Sequence, residues 1–304
     1  MPTAFSNRER SDSLYCFSRP TDGRSASGQS DPVHLAAPGL PASARTGIRP
    51  DVMTTSRNQT AIVTGGARRI GAAIVRALAA DGWHVLIHCH TSVAEADALA
   101  AEVGNATVVA ADLAEPDVGT AIVNAASGLP PLGLLVNSAS RFVYDRIDNF
   151  AVADFDAHMA VNVRAPALTI RAFAAALDDA ADPALVVNLL DAKLSALNPD
   201  YLTYTLSKIA FDGLTELTAR AYAPRLRCAG IAPAVTLVSG PQTRENFEAV
   251  HGMNPLRRGV AVDEIVAALR FIIATPTYNA QTITLDGGQR LMGLRRDVAY
   301  MVEQ

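Results

Sequence analysis

From Gln59 to about residue 288 the chain alternates short, nearly continuous apolar runs with longer segments of helical spacing. The runs are TAIVTGG, HVLIHCH, ATVVAADL, LGLLVNSAS, ALVVNLLD, LRCAGIAP and TITLDGG. Strands buried on both faces read as unbroken Val, Ile and Leu. Strands that alternate with helices join through right-handed crossovers into a parallel sheet. Helix ends are marked locally: IGAAIVRALAADG stops at Gly82, and SVAEADALAAEVG opens on a serine and stops at Gly104. The expectation is a single α/β domain, a doubly wound parallel sheet with helices on both faces, whose ligands bind beyond the carboxyl ends of the strands.

Residues 1–57 lack this texture. SNRERSDS, RPTDGRSASGQSDP and PASARTGIRPD carry too little apolar periodicity to offset the entropy of ordering. They are expected to form a disordered N-terminal extension to a domain over 58–304. A transit peptide is a second reading, opposed by Glu9, Asp12, Asp22 and Asp31; an internal start at Met53 is a third. A net charge of −4 gives no electrostatic grip on nucleic acid. No apolar run approaches the ~18 residues that a membrane span needs. Cys16, Cys89 and Cys228 are too few and too far apart for a disulfide framework or a zinc knuckle, and they point to a reducing cytoplasm.

The first apolar run passes into Thr64-Gly65-Gly66-Ala67-Arg68-Arg69-Ile70-Gly71 and then a helix. A glycine turn in that place lets backbone approach a pyrophosphate, which the free N–H groups and positive end of the helix can hold. Ala72 and Ala73 follow Gly71 where a P-loop needs Lys and Ser or Thr, and G-x-G-x-x-G spacing is also absent. A purely structural turn therefore stays open. The second run ends in His88-Cys89-His90-Thr91-Ser92, with no acidic residue for the ribose hydroxyls of NAD. His90, Thr91 and Ser92, with Arg68, instead suit the 2′-phosphate of NADPH. The other reading is a solvated strand end with His88 in the core. Successive strand residues face opposite ways, so Cys89 cannot join His88 and His90 around one ion, and no metal site is expected.

Tyr204-Thr205-Leu206-Ser207-Lys208 sets Tyr and Lys one turn apart on a helix expected to end near Tyr222. A neighbouring ammonium favours phenolate, so Lys208 is expected to draw the Tyr204 pKa below its ordinary value of about 10. Such a tyrosine can donate or accept a proton near neutral pH. Taken alone, the pair is equally an ordinary pair of surface residues.

In chain order stand the glycine turn, Asn137-Ser138-Ala139 after the fourth run, Asn162 in the helix before the fifth, Tyr204-x-x-x-Lys208 after it, and LDGG after the last. This constellation resembles the short-chain dehydrogenase/reductase family over about residues 59–290. The resemblance implies a Rossmann-type fold, NADPH as cofactor, a small-molecule substrate and a homotetramer. It makes Tyr204 the catalytic acid, Lys208 the ligand of the nicotinamide ribose and the group that tunes Tyr204, and Asn162 the holder of a water in the proton path. Cofactor contacts would come from Gly65, Arg68, Arg69, Ile70 and Gly71, from His90, Thr91 and Ser92, and from Asp112 with Leu113. Asn137, Ala139, Ser140 and Pro233 would supply the rest. The C-terminal QRLMGLRRDVAYMVEQ would pack against a neighbouring subunit.

Three positions depart from the wider family. Arg69 replaces a usual glycine, and Asp191 replaces a usual serine thirteen residues before the tyrosine. Asn137-Ser138-Ala139-Ser140, followed by Arg141 and Phe142, replaces Asn-Asn-Ala-Gly. Together these are similar to pteridine reductases and to the bacterial dihydromonapterin or dihydrofolate reductases of the short-chain type. That implies reduction of a dihydropterin or dihydrofolate to the tetrahydro form. The chemistry agrees: reducing a ring C=N puts hydride on carbon and a proton on nitrogen, so an acid that relays protons is of more use than a serine that polarises a carbonyl.

On this reading Phe142 and the nicotinamide sandwich a flat ring, and Arg69 reaches both the cofactor phosphates and the ring edge. Ser140, Asp191 and Tyr204 contact the ring. Pro233-Ala234-Val235-Thr236 stands where the family has Pro-Gly before a mobile loop. That loop would be LVSGPQTRENFEAVHGMNPLRR, with Leu237 and Val238 touching substrate. Each has a plain alternative: Phe142 as core, Asp191 as a turn cap, the loop as an ordinary helix and turn. Two other functions compete. One is a reductase of another carbonyl or imine, which Arg69 and Asp191 disfavour. The other is an NADPH-binding regulator without turnover, which the intact Tyr–Lys pair disfavours.

Overall fold

The computed structural model describes residues 58–177, 183–239 and 242–302; the expected N-terminal extension lies outside them. Strands β1 (Thr60–Thr64), β2 (His84–Cys89), β3 (Ala106–Ala110), β4 (Leu132–Asn137), β5 (Ala184–Leu189), β6 (Leu226–Pro233) and β7 (Thr282–Leu285) form one parallel sheet in the order β3-β2-β1-β4-β5-β6-β7. The order reverses between β1 and β4, which opens a crevice at their carboxyl ends.

Alternation along each strand divides the core in two. Ala61 and Val63 of β1 face α1 (Arg69–Ala80), α2 (Val93–Val103) and α8 (Val262–Ala274). Ile62 faces the opposite cluster, built with α3 (Val118–Asn124), α5 (Ala165–Ala175) and the C-terminal part of α6 (Leu202–Tyr222). Both faces are therefore covered, which is why the strands read as unbroken apolar runs. The helix expected before β5 is interrupted: α4 (Val152–Met159) passes through a π turn at Ala160–Arg164 before α5. Such a turn releases backbone groups from the regular ladder and recurs beside functional sites.

Two further segments take defined structure. The run expected to be a mobile loop contains α7 (Arg244–His251), opened by Thr243, whose hydroxyl accepts from the Asn246 N–H at 3.1 Å. The C-terminal segment packs on its own chain, where Arg296 grips Asp200 and Val298 is buried. No helix among the described residues is long and apolar enough to cross a membrane.

The second core cluster depends on a close backbone approach. A methyl added at Gly119 of α3 would lie 2.4 Å from the carbonyl carbon and oxygen of Leu168 in α5. Gly119→Ala is expected to push the two helices apart at a cost of about 1–3 kcal/mol. Thermal unfolding should then fall by several degrees, with the far-ultraviolet spectrum at 20 °C unchanged.

Candidate active site

A cavity of about 620 Å³ lies at the carboxyl ends of β1, β4, β5 and β6, within the size range of small-molecule sites. One end is the glycine turn. Gly65 adopts φ +64°, and a methyl there would sit 2.9 Å from the Ala139 Cα; a methyl on Gly71 would sit 2.1 Å from the Gly65 carbonyl oxygen. The turn thus closes only with glycine at both positions. No side chain caps α1, and Gly65, Arg68, Arg69, Ile70 and Gly71 all line the cavity. An uncapped helix start of this kind fits the phosphates of a dinucleotide.

His88 lies in the core, where it has a structural part. Its Nδ1 accepts from the Gly65 N–H at 3.2 Å and its Nε2 donates to the Ala111 carbonyl at 3.1 Å. That pattern requires neutral imidazole, and burial agrees, pushing the pKa down to about 4. His90, Thr91 and Ser92 sit beyond the cavity, with His90 exposed and 3.7 Å from Asp112. Ser92 opens α2 without a side-chain cap bond. Arg68 pairs with Glu95 on the surface, where solvent leaves such a bridge weak and open to competition by phosphate. The side chains of Leu113 and Asn137 lie in the interior rather than in the cavity: Leu113 joins the second core cluster, and Asn137 donates to Asn188.

At the other end, Tyr204 donates to Asp191 Oδ2 at 2.7 Å. Asp191 Oδ1 also accepts from the Lys193 N–H at 2.8 Å, so the residue both caps a short 3₁₀ turn and engages the tyrosine. Burial raises the Asp191 carboxyl above its ordinary pKa. The expectation that Lys208 lowers the Tyr204 pKa fails here. Burial first, and then the charge of Asp191, hold the phenol well above 10. Lys208 lies 5.7 Å from the Tyr204 ring centre and donates to the Leu189 carbonyl at 2.7 Å. Burial pulls its own pKa down to about 8. One of its three N–H donors is thereby used, and the other two suit the hydroxyls of a ribose.

The Asn162 side chain is fully engaged within the chain. Its Nδ2 donates to the Arg141 carbonyl and to Ser207 Oγ, and its Oδ1 accepts from the Arg141 N–H and Ser140 Oγ. All its hydrogen-bonding positions are filled, so it is a strut joining the loop after β4 to α6. Arg69 lines the cavity and also bonds within the chain. At φ +56° its guanidinium spans the cavity mouth to the Val238 carbonyl at 2.6 Å and Ser239 Oγ at 3.0 Å. Leu237 and Pro233 line the cavity beside it. Phe142 is half-exposed there rather than core. One face stacks on Tyr201 with ring centres 4.3 Å apart, and Tyr204 meets it edge-on at 4.7 Å.

Sequence reasoning missed the groups that hold this end. Buried Asp145 accepts from both the N–H and the hydroxyl of Thr203, and Thr203 in turn meets His158 Nδ1 at 2.8 Å. This caps the start of α6, one residue before Tyr204. Asp145 stands in an irregular loop 58 residues upstream of Thr203, where no local spacing points to it. Tyr201, Lys193, Asp200, Arg296 and Asp297 were also missed; they converge only through the fold.

The family model for short chain dehydrogenase matches residues 59–248. An uncharacterized oxidoreductase from Mycobacterium tuberculosis is 31% identical over 245 residues, covering 76% of this chain and 92% of the relative. Pteridine reductase 1 from Leishmania tarentolae is 29% identical over 290 residues, covering 79% and 99%. Among solved structures, FolM alternative dihydrofolate reductase 1 from Brucella suis, in complex with NADP, has a TM-score of 0.75 at 40% identity, covering 78% of this chain and 97% of that one.

Neutral His88 has a measurable consequence. Its folded pKa of about 4 lies below the ordinary 6.5, so the unfolded chain binds the extra proton between those values. Its stabilisation is complete above about pH 6.5 and is lost progressively toward pH 4, to a total of about 3 kcal/mol. Urea unfolding across that window should show this slope in the wild type and a shallower one in His88→Gln.

Proposed function

The chain belongs to the short-chain dehydrogenase family, and we propose that it uses NADPH to reduce a pteridine ring, taking a dihydropterin or dihydrofolate to the tetrahydro form. The carrying observation is the 2.7 Å hydrogen bond between buried Tyr204 and partly buried Asp191, in the wall of the cavity. A family tyrosine paired with a carboxyl rather than a serine is suited to protonating nitrogen. The pteridine and dihydrofolate reductases that this chain resembles support the same substrate class, and the NADP bound in the Brucella structure supports the cofactor.

When bound, NADPH supplies hydride to the ring carbon. The chain's own residues do the rest. The start of α1 takes the phosphates, and Lys208 offers its two remaining donors to the ribose. Tyr204 gives its proton to the ring nitrogen and is resupplied by Asp191, whose raised pKa lets the carboxyl hold a proton nearer neutrality. Ser140 and Phe142 present a hydroxyl and an aromatic edge to the ring. We place the protein in the reducing cytoplasm, a reading that the buried unpaired thiols Cys89 and Cys228 support. We also propose a homotetramer, for which the exposed Leu206, Ile209 and Leu217 of α6 supply apolar surface; light scattering giving a monomer would reject it.

Loss of NADPH absorbance with dihydrobiopterin, dihydromonapterin or dihydrofolate tests the reading. Turnover of at least one, with NADPH preferred to NADH, is expected; no turnover of any rejects it. Tyr204→Phe should lower kcat by about 10²–10⁴-fold while NADPH still binds. Because Asp191 acts in its protonated form, kcat should be highest on the acid side and fall as pH rises through its raised pKa. Asp191→Asn should flatten that limb.

A further inference from the structure

We propose that Lys193 and Asp297 form a subsite for a neutral, hydroxylated substituent on the substrate ring, a reading that rests on the pteridine assignment. Neither residue belongs to the cofactor or proton-delivery machinery, yet both line the same cavity as Asp191 and Tyr204. Their positions are fixed from both directions in the chain. Lys193 stands two residues past Asp191, and its N–H is bonded to that carboxyl at 2.8 Å. Asp297 arrives 104 residues later. It is set by its neighbour Arg296, which forks onto fully buried Asp200 at 2.7 and 2.8 Å, and by its own N–H, which donates to Asp200 at 2.9 Å. Burial alone would raise the Asp200 carboxyl; the fork and that N–H outweigh it and hold the group ionised.

The two side chains then meet at 3.4 Å, with the lysine side chain 8% exposed and its ammonium 5.2 Å from the Tyr201 ring centre. The Asp297 charge is felt at both Asp191 and Tyr204, so the pair adjoins the proton-delivery end. A flat ring protonated by Tyr204 would direct the substituent beside its reacting nitrogen toward this pair.

What the pair can bind follows from its spare capacity. The ammonium has three donors and uses two, on the Asp200 carbonyl and on Asp297. The carboxylate has about four acceptor positions and uses two, on Lys193 and on the Ala299 N–H. One donor and two acceptors remain side by side, with no net charge. A hydroxyl, which both accepts and donates, matches that pattern. An anionic tail gains the lysine but meets the aspartate, so the pair gives it no net attraction.

The test compares 6-hydroxymethyl-7,8-dihydropterin with 6-methyl-7,8-dihydropterin, which differ by one hydroxyl, and adds dihydrofolate as the anionic probe. The full chain and NADPH are used throughout. The wild type should prefer the hydroxymethyl compound by about tenfold in kcat/KM, the worth of one charge-assisted hydrogen bond. Lys193→Met and Asp297→Ala should each bring that ratio toward one, through KM rather than kcat. Asp297→Ala should also improve the use of dihydrofolate relative to 6-methyl-7,8-dihydropterin, and Lys193→Met should not. Where Lys193→Met fails to fold, the partly exposed Asp297 carries the test. An unchanged ratio in the variants, in an enzyme active on both pterins, overturns the subsite alone. A wild type that turns over none of the three compounds overturns the pteridine assignment and the subsite with it.

Discussion

Tyr204 and Asp191 share one hydrogen bond in a water-poor corner of the fold, and that bond sets the charge state of the groups around it. Burial penalises the anionic form of both residues, so each resists losing its proton. Lys208 is buried with them, and the Asp191 charge partly offsets the desolvation that pulls the ammonium down to about 8. The three groups therefore balance as a set. The ammonium lies 5.7 Å from the Tyr204 ring centre, with no direct bond to the phenol.

Such a balance needs rigid placement, and placement comes from outside the motif. The helix carrying Tyr204 begins at Tyr201, held at φ +56°, a conformation costly for a bulky side chain. Its start is fixed because Asp145 takes the Thr203 N–H and hydroxyl, and because His158 bonds the same hydroxyl. One turn on, Ser207 accepts from Asn162 and donates to the Tyr204 carbonyl. The π turn around Asn162 and the loop after β4 are thereby tied to α6. Phe142 uses Tyr201 as its backing plate, so the strained residue also orients the aromatic wall.

The seven strands and helix α6 with its end at Tyr222 were legible in the sequence, because each is written in local periodicity; the strand order that opens the crevice was not. The Tyr204–Lys208 spacing and Asp191 were legible because their chemistry is local or aligned with a known pattern. The ionisation of Tyr204 was not. It depends on burial and on a carboxyl thirteen residues away, and an adjacent lysine in the sequence suggests the opposite shift. The contacts that Arg69 and Asn162 make within the chain were not legible, since their partners at Val238, Ser239 and Arg141 lie in loops without periodicity. Asp145, Asp200 and Asp297 carry no local signal at all. An acidic residue in a loop is ordinarily solvated, and only the tertiary fold shows that Asp145 and Asp200 are buried.

The two clasps that border the cavity differ in physical character. Arg69 reaches across the mouth from an exposed position to a backbone carbonyl and a hydroxyl, contacts that water can replace at little cost. Arg296 reaches a carboxyl with no solvent exposure, whose four described hydrogen bonds come from a phenol, a guanidinium and a backbone N–H. Removing the guanidinium would leave that charge buried and under-compensated, which is far costlier than losing a surface contact. The wall that presents Lys193 and Asp297 is therefore the fixed one, and the wall closed by Arg69 is the adjustable one. Discrimination between substituents requires a wall that does not move to accommodate each of them, which places it on the side built around Asp200.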